Sequence, residues 1–463
     1  MGRAMRLAQI LGPDLKATLA NDPEELREAL EEFHPEDIAE LLEDLDEEER
    51  IALMRALPDA FAAEVLERLP EDAQTTVIER LDTDEAATLL TSMAPDDRVD
   101  VIQELEPEVA EKILAHMDQT EPQAAEEVRE LGAYGERTAG GLMTTEYASM
   151  PPETKVWQAI ENLRQLAHEG RAETVYSVYV VAYDKLVGVV SLRDLILGDP
   201  GQSLADVMTE NVVRVLPTAD QEEVARLIAK YDLSTIPVVD EQGKMLGVVT
   251  VDDVVDVVIE EATEDAQKMG AVQPIADPYF DTAFGTFIRK RATWLIVLFL
   301  GELLTATVMA TYEDELRTML TLVIFIPLII SSGGNAGSQS SSLIIRALAV
   351  GEVLPRDWSR VLAREAGIGI ALGLVLGVVG FGRALIGTGA VDVAHQIAIA
   401  CVVSVSVVAV VALGAVVGSL LPLGIKRIGL DPAVSSTPFI ASLVDVVGLV
   451  VYFSVARLIM SLV

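Results

Sequence analysis

The chain carries one cysteine, Cys401, and four histidines in 463 residues. A single thiol rules out a disulfide or a thiolate metal cluster within the chain. The histidines form no zinc pattern such as H-E-x-x-H. Basic residues are scarce over the first 280 positions, 22 against 62 acidic ones. So acidic a surface repels phosphate backbones, which argues against nucleic acid binding, and attracts cations. The opening MGRAMRLAQILGPDLK lacks the apolar core of a secretory leader, so the soluble part is expected to stay in the cytoplasm. No nucleophile–base constellation stands out, and an enzyme is not expected.

What is present divides in two. The length calls for two to four domains. Residues 1–280 carry a net charge of −40, whereas residues 281–463 hold 11 acidic and 12 basic residues. The second part contains five runs of the length a bilayer core requires, at about 292–311, 318–345, 366–387, 396–420 and 434–460. Arg289, Lys290 and Arg291 precede the first run, Arg346, Arg356, Arg360 and Arg364 separate the second from the third, and Lys426 and Arg427 separate the fourth from the fifth. The alternate loops, YEDELR and GTGAVDVAH, are nearly free of basic charge. This asymmetry predicts an inner-membrane protein with its N-terminal domains in the cytosol and its C-terminus outside.

Several features inside the runs stand out. SSGGNAGSQSSS, residues 331–342, is expected to interrupt the second span. Its glycines permit unusual backbone and close approach, and the amide oxygens of Asn335 and Gln339 suit a hard cation. Pore lining and polar helix packing are both open readings of it. Gly369, Gly373 and Gly377 recur every four residues, as do Gly414 and Gly418, a spacing that brings membrane helices close. Glu302 and Asp445 lie near span centres, where a carboxylate costs about 2.5–3.5 kcal/mol and normally faces a bundle interior or an aqueous cavity. No basic residue occupies the centre of a span, which favours Asp445 as a cation site. Pro438, shortly before it, leaves Thr437 and nearby carbonyls available at a helix start.

The soluble part is built from repeats. Residues 34–117 hold seven units of twelve, from HPEDIAELLEDL to EPEVAEKILAHM. Each opens on Pro, Asp or Glu and continues with apolar positions at helical spacing, so each predicts one short helix of a superhelical array. In residues 142–262 a second duplication pairs LMTTEYASMPPETKVWQAIENLRQ with VMTENVVRVLPTADQEEVARLIAK, and GVVSLRD with GVVTVDD. Each copy reads as a small α/β unit. VDDVVDVVIEEATEDAQKMG then places Asp253, Asp256, Glu260, Glu261, Glu264 and Asp265 at spacings of three to five, a carboxylate stripe along a helix.

At GGNAGSQ and at Asp445 within DPAVSSTPFIASLVDVVG, the chain resembles the MgtE family of magnesium channels. The twelve-residue repeats resemble that family's N-domain, and the duplicated units resemble tandem CBS domains. The resemblance implies a multidomain fold: an all-α superhelical N-domain (1–140), two α/β CBS units (141–203 and 204–262), a connecting plug helix (263–285) and an α-helical five-span membrane domain (286–463). It implies a homodimer importing Mg²⁺, with Asp445, Thr437, Asn335, Gly334 and Gln339 at the pore. Some members carry Asn where this chain has Thr437. It also implies negative feedback by cytosolic Mg²⁺ at Asp96, Asp100, Asp220, Glu222, Asp232, Asp253, Asp256, Glu261, Glu264 and Asp265. In CBS units the Ser/Thr and Asp of the repeated element hold a nucleotide, which points to ATP at Ser191, Arg193, Asp194 and Thr250, with Tyr176 for stacking. Oxygen ligands leave a broader divalent carrier, passing Mn²⁺ or Co²⁺, as the alternative; a CBS-regulated membrane sensor without transport is another.

Overall fold

A computed structural model describes residues 30, 33–43, 45–168, 175–275, 279–280, 282–313, 320–387 and 393–462. The loop segments 314–319 and 388–392, used above for orientation, lie outside the described residues. The chain forms two compact units, Met1–Val258 and Ile259–Val463.

In the first unit each twelve-residue repeat is one helix: α1 Pro35–Glu43, α2 Glu47–Ala56, α3 Asp59–Leu66, α4 Glu71–Arg80, α5 Thr83–Thr91, α6 Pro95–Glu104 and α7 Pro107–Thr120. An eighth, α8, spans Pro122–Leu131. The polar repeat starts are caps. Asp46 and Asp82 form capping boxes with Glu49 and Glu85, and Pro95 and Pro107 open their helices. Helices too short to stand alone stack on alternate neighbours, α1 on α3, α5 and α7 in one layer, α2 on α4, α6 and α8 in the other. Leu42, Leu53, Leu66, Val77 and Leu90 are buried between them.

The duplicated units share one plan. The first comprises β1 Ser149–Met150, α9 Val156–His168, β2 Ser177–Ala182, β3 Lys185–Ser191, α10 Leu192–Leu197 and α11 Leu204–Val207. The second comprises α12 Gln221–Tyr231, β4 Thr235–Val239 and β5 Met245–Thr250. β1 runs parallel to β2, as Val215 bridges in parallel to Val238 in the second copy. β2–β3 and β4–β5 are antiparallel, with Val178 opposite Val190 and Ile236 opposite Val249. The Tyr179 hydroxyl and the Thr235 hydroxyl, 2.7 Å apart, join the copies across a buried apolar cluster.

Helix α13, Val251–Met269, follows β5 directly. The connecting helix expected over 263–285 therefore starts earlier and stops sooner. Ala271 takes a left-handed φ of 58°, and the Gln267 side chain folds back to accept from the Ile275 amide at 2.6 Å, which ends the helix. A separate helix, α14, begins at Phe284.

Five apolar helices follow: α14 Phe284–Thr311, α16 Ile326–Ala349 after the short α15 Leu320–Val323, α17 Trp358–Gly387, α18 Val393–Arg427 and α19 Thr437–Met460. Each is long and apolar enough to cross a bilayer. Ile329, Val403, Val410, Ile440, Val444 and Tyr452 form the core, and the Tyr452 hydroxyl donates to the Leu322 carbonyl at 2.8 Å.

Residues 331–342 are uninterrupted α-helix within α16, which corrects the expected break. The small residues serve packing on one face. A Cβ on Gly414 would collide with the Gly333 carbonyl, and one on Gly418 with that of Gly337. The two helices thus touch backbone to backbone. On α17, Gly369 and Gly373 press against Ala412 and Val408, where a Cβ would come within 2.8 and 2.7 Å. Gly418→Leu should lower the midpoint of thermal or denaturant unfolding, by about 1–3 kcal/mol on overpacking scales. Gly382→Ala, with open space around it, should leave that midpoint unchanged; equal effects would refute the close-approach account.

Candidate functional site

The second face of α16 builds a cleft. Pro327, Ile330, Ser331, Gly334, Asn335 and Ser338 recur at helical intervals of three and four, and all six line it. Ala441 and Asp445, one turn apart on α19, close the opposite wall, and Thr305 of α14 completes it, enclosing about 390 Å³. Gly334 leaves the room: a Cβ there would stand 3.6 Å from Ala441 and 3.9 Å from Asp445 Oδ1. Among the described residues, no Lys or Arg forms an ion pair with Asp445.

The pore residues expected from sequence do not all share this space. Gly334, Asn335 and Asp445 line the cleft. Gln339 faces a neighbouring one of about 440 Å³, with Ser338 and Ser342. Thr437 opens α19 behind the N-cap Ser436, and its carbonyl accepts from the Ser338 hydroxyl at 3.4 Å. The serines pin α16 in place: Ser340 donates to Glu365 Oε2 at 2.6 Å and Ser341 to the Ser435 carbonyl at 3.5 Å. Thr305 was not singled out from sequence. Its signal was its place one turn beyond Glu302 in the first span.

The acidic residues of the first unit are distributed unevenly. Asp96, buried, and Asp100, solvent-reachable, lie one turn apart on α6. Desolvation by surrounding protein pushes Asp100 up to about 7, with Glu136, Glu71 and Asp253 adding to it. Asp253 is pushed up to about 6, mainly by desolvation, although the Thr250 hydroxyl, donating at 2.5 Å, opposes this. Partial burial likewise raises Asp256. The structure thus brings Asp100 and Asp253 into one field. It does not do so for Asp220 and Asp232. These cap opposite ends of α12, about 18 Å apart at 1.5 Å per residue. Asp220 instead accepts from the Glu222 amide at 2.9 Å.

In the second unit, Lys268 donates to Asp431 Oδ2 at 2.6 Å and pairs with the buried Glu264. Asp265, beside them, is raised by burial and then by Asp431. Asp431 was missed in sequence, since a lone loop acid carries no pattern; Glu261 lies one turn before Asp265, half-buried. Among the described residues no three acidic, histidine or cysteine side chains converge as a metal cage. Paired carboxylates fit a cation that keeps most of its water, as Mg²⁺ does.

Of the residues expected to hold a nucleotide, Ser191 caps α10 and donates to Asp194 at 2.6 Å. Exposed Arg193 and Asp194 lie next to exposed Tyr176, whose carbonyl accepts from the Leu192 amide at 2.8 Å. Thr250 is fully buried and committed to Asp253.

Comparisons with known proteins follow the same division. A family profile described as "Divalent cation transporter" (MgtE) matches residues 326–455. The MgtE intracellular N domain matches 33–137, and CBS domains match 139–199 and 204–260. "Magnesium transporter MgtE" of Thermus thermophilus is 42% identical over 344 residues, 74% of each chain. Its Bacillus subtilis namesake is 35% identical over 351 residues, covering 74% of this chain and 73% of that one. A "Crystal structure of the soluble part of a magnesium transporter" is 36% identical with a TM-score of 0.51, covering 54% of this chain and 96% of that one.

The raised carboxyls make stability pH-dependent. Folded Asp100 holds its proton from the unfolded value of 3.8 up to about 7. The folded chain therefore binds more protons in that window, and stability falls as pH rises through it. Without divalent metal, unfolding midpoints should climb as pH drops from about 8 toward 5. Asp100→Asn should flatten this slope; an unaltered slope would rule out Asp100 as its source.

Proposed function

The chain belongs to the MgtE family, and from that premise we propose that it is a Mg²⁺ channel of the cytoplasmic membrane, with its ion path along the α16–α19 cleft. One observation carries this reading: a carboxylate within an apolar span, Asp445, faces a polar-lined cleft and has no basic partner among the described residues. An intramembrane acid is retained against its insertion cost where it serves a cation. Asp445 would attract the hydrated ion and hold it through its water, since Mg²⁺ dehydrates reluctantly. Outer-shell contact is also weak enough to let the ion leave, as conduction demands. Ser331, Asn335 and Ser338 offer oxygens to the same water shell. Two chains pairing with their clefts on a common axis would double these groups. The basic residues at the span ends support a cytosolic N-terminal region and an external C-terminus.

Regulation follows from the crowded acids. Asp100 and Asp253 in the first unit repel one another when metal is absent; within the second, Lys268 offsets only part of the charge of Glu264, Asp265 and Asp431. Cytosolic Mg²⁺ neutralises them and favours a compact, closed state; it shifts the equilibrium only by its differential affinity for that state. Asp96, Asp256 and Glu261 lie within a turn of these acids and add to the attraction. Asp220, Glu222 and Asp232 serve α12 as caps and first-turn charge. ATP is assigned to the open side of the first CBS unit, where Tyr176, Ser191, Arg193 and Asp194 stand together.

Two experiments test these readings. Liposomes holding the Asp445→Ala variant should take up Mg²⁺ at least about tenfold more slowly than wild type, the loss expected for one charge-assisted contact. Uptake equal to wild type would remove the site. Limited proteolysis of the full chain should show progressive protection as Mg²⁺ rises from zero to ~10 mM, a range set by weak carboxylate sites. Added ATP should protect the first CBS unit. Cleavage indifferent to Mg²⁺ would sink the sensor, and indifference to ATP the nucleotide assignment.

A further inference from the structure

Glu302 is the only acidic residue of α14, and its surroundings give it a task. Helix α14 has no buried residue and packs on α19. An acid in such a span must find a polar neighbour or a cation. The neighbour here is another acid: Glu302 lies close enough to Asp445 for the two charges to act on one another. Thr305, three residues on and so on the same helix face, lines the cleft that Asp445 lines. The Thr305 hydroxyl is shut off from solvent and has no hydrogen-bond partner among the described residues. No Lys or Arg pairs with either carboxyl among the described residues. Two carboxylates this close repel unless a cation stands between them.

We propose that Glu302 is a second ion-holding carboxylate of the Asp445 cleft, so that each chain offers a hydrated divalent cation a pair of charges and the Thr305 hydroxyl. The inference rests on the reading of that cleft as the ion path. Its consequence is charge selection. A divalent ion neutralises the pair, whereas a monovalent ion leaves half the repulsion in place. Helix α14 then becomes part of the filter and not only a membrane anchor.

The test uses the full chain in liposomes, with Mg²⁺ and Na⁺ fluxes read separately. Glu302→Gln keeps the shape and removes the charge. It should raise the half-saturating Mg²⁺ concentration about tenfold, as loss of a charge-assisted contact predicts, and admit Na⁺. Glu302→Asp should restore Na⁺ exclusion. The Glu302→Gln, Asp445→Asn double variant should be no worse than Asp445→Asn alone, because the two groups share one site. If Glu302→Gln keeps wild-type half-saturation and selectivity while Asp445→Asn is impaired, Asp445 acts alone and this inference falls. If Asp445→Asn is itself unimpaired, the cleft is not the path and both readings fall. Should Glu302→Gln fail to assemble, Thr305→Val is read in its place. A shift of about threefold, the worth of a neutral hydrogen bond, supports the inference, and no shift overturns it.

Discussion

Two backbone contacts, Gly333 against Gly414 and Gly337 against Gly418, set the membrane region. Lipid provides no hydrophobic drive between helices, so association depends on how closely backbones approach. With hydrogen as the only side chain at all four positions, α16 lies directly on α18. That contact fixes the roll of α16. Its opposite face then presents Gly334, Asn335 and Ser338 toward Ala441 and Asp445. The serine hydrogen bonds to Glu365, Ser435 and Thr437 fix its axial position. Larger residues on the packing face would tilt the helix and close the cleft on the other.

Carboxylate chemistry recurs in the two units under different dielectrics. In the soluble unit, desolvation and neighbouring acids raise Asp100 and Asp253 toward neutrality. Such groups respond steeply to any cation that replaces the proton. In the second unit, Lys268 already offsets Glu264 and Asp431 where α13 meets the loop before α19. In the membrane, Asp445 has no such internal cation among the described residues. The proposed division of labour follows: acids with modest, water-rich sites sense the ion, and acids in an apolar span hold it in transit.

Much of the architecture was legible because it is periodic. Twelve-residue repeats with acidic or proline starts announced one helix each, and the caps at Asp46 and Asp82 bear out the local reasoning. Duplicated GVVSLRD and GVVTVDD forecast two similar strand–strand–helix units. Five apolar runs forecast five spans. The element that misled was SSGGNAGSQSSS. Glycine and serine lower intrinsic helix propensity in water. In an apolar surrounding, an unpaired backbone costs far more than that deficit, and α16 stays helical through it. The connecting helix misled for a related reason: the stop at Ala271 is made by a side-chain return from Gln267, a contact absent from any local pattern.

By itself the sequence determined the repeat helices, the paired α/β units, the spans and the presence of two intramembrane acids, since all of these follow from local periodicity and from the cost of burying charge. Only the tertiary structure decided which acid meets which partner. Asp220 and Asp232, twelve residues apart, are parted by the length of a helix. Asp100 and Asp253 are brought into one electrostatic field across 153 positions. Asp445 is placed before Asn335 and beside Glu302 by helix packing. The physical reason is that electrostatics acts through space, and the distances are set by how closely glycine lets backbones approach.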